Sequence, residues 1–118
     1  MKQKLNIVLL VMMGTSIVPV TSQSVLAESG IASIYSTNEG TQTASGVKLD
    51  DNALTAAHRT LPFGSKVRVT NTKNGQTVVV TITDRGPFVP GRVIDLTPAG
   101  AQALGFIGLA PVTVQVGE

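Results

Sequence analysis

Two strand-like segments facing each other across a short turn constrain this chain more than any other feature. Lys66-Val67-Arg68-Val69-Thr70 alternates polar and apolar residues with period two, the repeat of a strand with one buried face. Asn74-Gly75 follows, a pair suited to a two-residue type I′ hairpin because both central residues need positive φ. The chain returns through Gln76 to Thr83, where Val78-Val79-Val80 predicts a strand covered on both faces. Val112 to Val116 alternates again, and Gly30 to Tyr35 and Thr55 to His58 are shorter strand candidates. One helix is marked at both ends: Thr97 can cap it, Pro98 suits its first position and Gly105 the left-handed position after it. Asp50 to Leu54 can form a single helical turn, and Ser36 to Gln42 reads as a polar surface loop. Several short strands with one or two short helices predict a mainly β fold closed into a barrel, because closure removes exposed edges.

The 118 residues allow one domain, and the first part of the chain does not belong to it. Lys2 and Lys4 precede an apolar stretch from Leu5 to Val18, and Val25-Leu26-Ala27 offers small or aliphatic residues before a cleavage point. Met1 to Ala27 therefore reads as a secretory signal peptide. Its longest strictly apolar run, Ile7 to Met13, is far short of the roughly 20 residues that span a bilayer. The expected mature domain is residues 28–118, secreted or periplasmic and associated with the cell wall.

In that domain seven Lys and Arg face seven Asp and Glu. The formal +2 of the chain belongs to the leader, so charge gives no case for nucleic acid. With no Cys there is no disulfide and no acceptor for a lipid anchor; one His and no Cys exclude a structural zinc site of ordinary composition. No metal or cofactor is expected. A neutral closed barrel needs no partner for stability, so a monomer is expected.

Few residues can carry chemistry. Asp84 ends the valine-rich strand just before Arg85-Gly86-Pro87-Phe88. A carboxylate pinned at a strand end by a rigid turn is placed as a cleft group would be, or it caps that turn. Asp95, between Ile94 and Leu96, suits a structural role, accepting backbone N–H groups or pairing with Arg92. His58 is the lone His and by itself signals little. There is no Gly-x-Ser-x-Gly elbow and no phosphate-cradling Gly loop.

The ordered set Leu54-Thr55-Ala56-Ala57-His58-Arg59-Thr60-Leu61-Pro62-Phe63-Gly64, Val67-Arg68-Val69-Thr70-Asn71, Asn74-Gly75, Asp84-Arg85-Gly86-Pro87-Phe88 and Gly91-Arg92-Val93-Ile94-Asp95-Leu96-Thr97 resembles the rare lipoprotein A family. Ala32-Ser33-Ile34-Tyr35 and Thr43-Ala44-Ser45-Gly46 match its opening segment. The resemblance implies a six-stranded double-psi β-barrel. It also implies a lytic transglycosylase that cleaves the MurNAc–GlcNAc β-1,4 bond of peptidoglycan glycan strands. The family's catalytic Asp falls on Asp84 and its active-site His on His58. The position where the family carries a Glu is Val47 here, which removes one cleft carboxylate. An expansin-like polysaccharide binder or wall loosener is therefore the alternative, with a secreted inhibitor or interaction module as a third.

A lytic transglycosylase can work with one carboxyl group. The acid protonates the glycosidic oxygen and, as a base, takes the proton of the MurNAc C6 hydroxyl, which attacks C1 intramolecularly. Asp84 is expected to be raised by burial near Phe88, with Arg85 turned away from it or toward substrate. His58 is expected to be neutral and to orient Asp84 or the sugar by a hydrogen bond. Tyr35 is expected to stack on a sugar face. Thr43, Asn71, Arg85 and Arg92 are the remaining substrate-contact candidates.

Overall fold

In a computed structural model that describes residues 27–117, the chain folds as six strands closed into a barrel. The expected leader lies outside the described residues except for Ala27, which opens the first strand. The elements in order are β1 (Ala27–Ile34), a 3-10 turn (Thr37–Glu39), β2 (Thr55–Ala57), β3 (Lys66–Asn71), β4 (Thr77–Asp84), β5 (Arg92–Leu96), α1 (Pro98–Leu104) and β6 (Ala110–Val116). Around the barrel the strands run β1-β5-β2-β4-β3-β6, with β6 closing onto β1. β1 with β5 and β2 with β4 are parallel; the other four seams are antiparallel.

The alternation seen in the sequence becomes the inside and outside of the barrel. Val67, Val69, Val80, Ile82, Ile94, Leu96, Val112 and Val114 meet within it, each at most 2% exposed. Each such side chain contributes up to about 1.5–3 kcal/mol of burial. Leu104 of α1 completes the core at 0%. Val79 is half-buried, so the valine run is not fully covered on both faces.

Thr97 and Gly105 bound the helix as expected. The Thr97 hydroxyl accepts the Gly100 N–H at 3.2 Å and donates to the Ala53 carbonyl at 2.6 Å. Gly105 adopts the left-handed conformation, φ 73°, that ends a helix at little steric cost. The unpaired carbonyl of Leu104 then accepts from Asn71 Nδ2 at 2.9 Å and Asn74 Nδ2 at 3.0 Å. Such terminal carbonyls must find donors from outside the helix.

Four local expectations change. The β3–β4 hairpin is not a two-residue turn: Thr70 pairs with Thr77, and the Asn71 N–H donates to the Gln76 carbonyl. Four residues, Thr72 to Gly75, therefore form the loop, because the Asn71 side chain folds back to accept the Lys73 N–H. Residues 50–54 make one hydrogen-bonded turn, Ala53 N–H to Asp50 carbonyl, and not a helical one. The loop expected at Ser36 to Gln42 contains the 3-10 turn, whose Thr37 is held twice by the Asp51 carboxylate at 2.8 Å. Arg92–Leu96 is a strand that its sequence pattern hides, because Val93 and Ile94 are both buried and break the alternation.

Thr97 has no exposed surface. Thr97→Val removes the cap and leaves the Ala53 carbonyl without its donor, and is expected to destabilise the domain by about 1–2 kcal/mol. The check is urea denaturation, with a lower midpoint at an unchanged slope.

Candidate active site

One rung across four neighbouring strands collects the polar groups of the site. Ser33 on β1 pairs with Asp95 on β5, Asp95 pairs with Ala57 on β2, and Ala57 pairs with Asp84 on β4. Two strand spacings separate the aspartates, so their Cα atoms lie roughly 10 Å apart. Ala57 between them is small. Ile94 and Leu96 point into the core, so Asp95 projects from the outer wall.

The two carboxyl groups have different surroundings. Asp84 Oδ1 accepts the backbone N–H groups of Ala44 and Arg85, both at 2.9 Å. That partly fulfils the turn-capping alternative and also clamps the 43–47 loop against the end of β4, where Ser45 N–H meets the Thr83 carbonyl at 3.1 Å. Asp95 accepts no backbone group; its Oδ1 accepts the Ser33 hydroxyl. Burial pushes the Asp95 carboxyl above the ordinary aspartate value, and the Glu39 and Asp84 charges add to this. The Ser33 bond and Arg92 oppose the shift without cancelling it. Gly86, at φ 118°, brings its backbone close: a Cβ there would lie 3.9 Å from Asp95 Oδ2.

The Tyr35 hydroxyl is buried beside this pair; among the described residues it makes no hydrogen bond of good geometry, although the Thr83 and Asp84 side chains lie near enough to act on it. Burial, then the negative charges of Asp84 and Asp95, push its pKa well above that of an ordinary tyrosine. It is a neutral O–H held near two carboxyl groups. The Tyr35 hydroxyl is directed inward, while the residue as a whole is half-buried.

His58 and Arg85 frame the site without touching either carboxyl group through their side chains. The link from His58 to Asp84 is backbone only, His58 N–H to Asp84 carbonyl at 3.1 Å. The ring is 7% exposed and both nitrogens are engaged. Nδ1 accepts the N–H groups of Thr60 at 3.1 Å and Leu61 at 3.2 Å, and Nε2 faces Glu28 Oε1 at 2.9 Å. The expected imidazole–carboxylate bond to Asp84 is absent because the turn after β2 uses that ring to satisfy its own donors. Arg85 Nη1 donates to the carbonyls of His58 at 3.1 Å and Leu61 at 2.8 Å. Its guanidinium lies 4.0 Å from the Phe63 ring centroid, a cation–π contact. It is therefore turned away from Asp84.

The other candidates divide. Thr43 is in the clamped loop, but its hydroxyl is engaged with Ser45 Oγ at 3.1 Å and with the Val47 carbonyl. Arg92 begins β5, and its charge acts on Asp95. Asn71 lies at the opposite end of β4 from Asp84, 3% exposed, with its side chain used by the helix end and the hairpin. It is a structural residue. Phe88 is 76% exposed and does not bury Asp84. Val47 is also exposed, on the loop that clamps Asp84. Asp95 and Ser33 are the residues of this polar rung that the sequence did not assign to the site. The signal for Asp95 was an acidic residue inside an apolar run; for Ser33 there was none. A separate apolar groove of about 390 Å³ between α1 and the 105–107 turn contains no ionisable group among its lining residues, Ile34, Pro98, Ala101, Gln102, Gly105, Phe106 and Ile107.

A family profile described as lytic transglycolase matches residues 27–116, the whole barrel. This chain belongs to the rare lipoprotein A-like family of double-psi β-barrels. It is 54% identical over 96 residues to a probable endolytic peptidoglycan transglycosylase RlpA of Nostoc sp., covering 77% of this chain and 26% of that protein. It is 44% identical over 104 residues to the endolytic peptidoglycan transglycosylase RlpA of Neisseria meningitidis, covering 87% and 44%. The chain spans less than half the length of these relatives. Among solved structures the fold is similar to a Streptomyces papain inhibitor, with a TM-score of 0.63 and 22% identity over 78% of this chain and 94% of that one. It is also similar to an expansin of Clavibacter michiganensis, with a TM-score of 0.61 and 23% identity over 78% and 50%.

The raised Asp95 pKa has a consequence for stability. Below about pH 3.9 the residue is protonated in both folded and unfolded chains. As pH rises, the unfolded chain ionises first, so stability falls until pH passes the folded pKa, and it stays lower above it. Asp95→Asn keeps an acceptor for Ser33 and removes the ionisation. It is expected to melt at a higher temperature than wild type at pH 7, with the gain shrinking toward about pH 3.5 in scanning calorimetry.

Proposed function

We propose that this domain is an exported peptidoglycan lytic transglycosylase that cleaves the MurNAc–GlcNAc β-1,4 bond and leaves a 1,6-anhydroMurNAc end. The observation that carries this reading is the pair Asp84 and Asp95, on one rung but in unlike surroundings. Titratable groups whose environments differ in this way divide into acid and base. The names of the RlpA relatives support the substrate class.

Asp95 is the acid, since burial favours its protonated form. Its proton passes to the glycosidic oxygen as the C1–O4 bond breaks and C1 takes on oxocarbenium character. The MurNAc C6 hydroxyl then attacks C1, forming the C1–O6 bond, and gives its proton to Asp84. No water is consumed, and a proton returns from Asp84 to Asp95 through solvent. This scheme divides between two residues the steps that the sequence assigned to Asp84 alone, and it needs no carboxylate at Val47. The buried Tyr35 O–H supports the pair from behind, as a neutral group beside both carboxyl groups. His58 and Arg85 hold the turn beside Asp84. The ring attack is intramolecular, so the sugar supplies its own proximity advantage.

The partner is the glycan strand of the wall, and the place of action is outside the cytoplasmic membrane. Cleavage after Ala27 would release a domain of 91 residues, residues 28–118, acting as a monomer. One observation favours a second reading: Val47, exposed beside Asp84 where the family carries a Glu, suits a wall binder without catalysis.

Purified protein incubated with peptide-free glycan strands distinguishes these. Mass spectrometry is expected to find 1,6-anhydro ends, with Asp84→Asn and Asp95→Asn each lowering the rate by about 10²- to 10⁴-fold. Activity is expected to fall as pH rises through the elevated Asp95 pKa. Reducing-end products instead would mean hydrolysis, and no product with retained binding to sacculi would favour the wall binder.

A further inference from the structure

Glu28 belongs to none of the motifs that single out the site, yet its side chain reaches the residue that organises it. It is the second residue of β1, on the stretch that pairs with β6 at Val114. Its Oε1 lies 2.9 Å from His58 Nε2, and its Oε2 lies 4.0 Å from Arg59 Nη2. His58 is 30 residues further along the chain.

The tautomer of His58 follows from its partners. Nδ1 receives two backbone N–H groups, from Thr60 and Leu61, so it must present a lone pair. The ring proton of the neutral imidazole is then on Nε2, pointing at the Glu28 carboxylate. A carboxylate on one ring nitrogen fixes which nitrogen carries the proton. Without Glu28 that N–H would be almost buried with no acceptor, and the tautomer with hydrogen on Nδ1 would collide with the two backbone donors.

The turn held by that ring is the platform for Asp84. Arg85 rests on the His58 and Leu61 carbonyls, and the His58 N–H binds the Asp84 carbonyl. Arg59, beside the second Glu28 oxygen, donates to the carbonyls of Pro87 at 3.3 Å and Arg92 at 2.8 Å, so it ties down the loop between the two aspartates. The connections run through the buried His58 and the half-buried Arg85 and Leu61, so the hydrogen bonds act together with the packing of Leu61 on the core to set the turn.

We propose that Glu28 is a positioning residue of the active site: it accepts the Nε2–H that the Thr60 and Leu61 donors impose on His58, and thereby anchors the ring and the turn against which Asp84 and Arg85 are set. The kinetic part of this rests on the transglycosylase reading, whereas the tautomer part does not. A small displacement of a reacting group costs one to two orders of magnitude in rate, which sets the scale of the effect.

The test uses the full chain as purified, with Glu28→Ala and Glu28→Gln. The chain holds one His, so long-range 1H–15N NMR of the imidazole reports His58 without ambiguity. Wild type is expected to show the Nε2–H form at neutral pH, and Glu28→Gln to keep it, because the amide oxygen still accepts. Glu28→Ala is expected to keep that tautomer, which Thr60 and Leu61 impose, but to shift the Nε2 signal and exchange the ring proton faster, because Nε2–H loses its acceptor. On peptide-free glycan strands, kcat of Glu28→Ala is expected to drop about ten- to a hundredfold with KM within about threefold, and Glu28→Gln to recover most of it. Circular dichroism identifies a variant that fails to fold, in which case Glu28→Gln and the wild-type spectrum carry the test. An Nδ1–H tautomer in wild type overturns the proposal, as does an unchanged spectrum and kcat in Glu28→Ala, or an equal loss of kcat in Ala and Gln. A wild-type protein without transglycosylase activity overturns the functional reading instead, and the NMR comparison still decides the tautomer.

Discussion

The three residues of β2 are the constraint on which the site depends. This strand is short, yet it is paired on both sides, parallel to β4 and antiparallel to β5. Its last residue, Ala57, is the only spacer between the strands that bear Asp84 and Asp95. A larger residue there would fill the space between the carboxyl groups, and a lost pairing would open the barrel at the point where the chemistry is placed. Core and site are therefore coupled through a single strand: Ala56 is buried within the core cluster, and Ala57 is on the polar rung.

Electrostatics on this rung follow from how few charges there are. A small neutral domain cannot surround a carboxyl group with a charge network. What it can do is cover one aspartate with chain and give the other backbone donors. The 3-10 turn, the Gly86 backbone and β1 crowd Asp95, while the 43–47 loop and Arg85 supply N–H groups to Asp84. The buried Tyr35 hydroxyl adds a neutral donor between them. The difference in environment between two identical side chains thus comes from desolvation and hydrogen bonding.

Much of the barrel was legible in the linear chain, for a physical reason. Inward-facing residues of β3 and β6 alternate, because each of these strands has one wet and one dry face, and β4 was marked instead by its run of valines. The helix was legible because caps act over three or four residues. β5 was not, since it lies between β1 and β2 and is buried at consecutive positions, so period two is lost. The hairpin loop was misjudged because Asn71, a strand residue, turns its amide into the loop and toward the helix end. That choice depends on α1 being nearby.

Asp84, by contrast, stood out from local context alone: an acidic residue at a strand end before a rigid turn. Asp95 and His58 received roles from the sequence that the fold rearranged. Local spacing establishes which residue types are available, where strands alternate and where a helix begins and ends, because those depend on interactions between near neighbours. The rung that unites Ser33, Asp95 and Asp84, the burial that raises one carboxyl group, and the Glu28 contact to His58 depend on parallel and antiparallel pairings between segments far apart in the chain. Only barrel closure decides those, because the register of each seam is set by the whole core and not by any stretch within it.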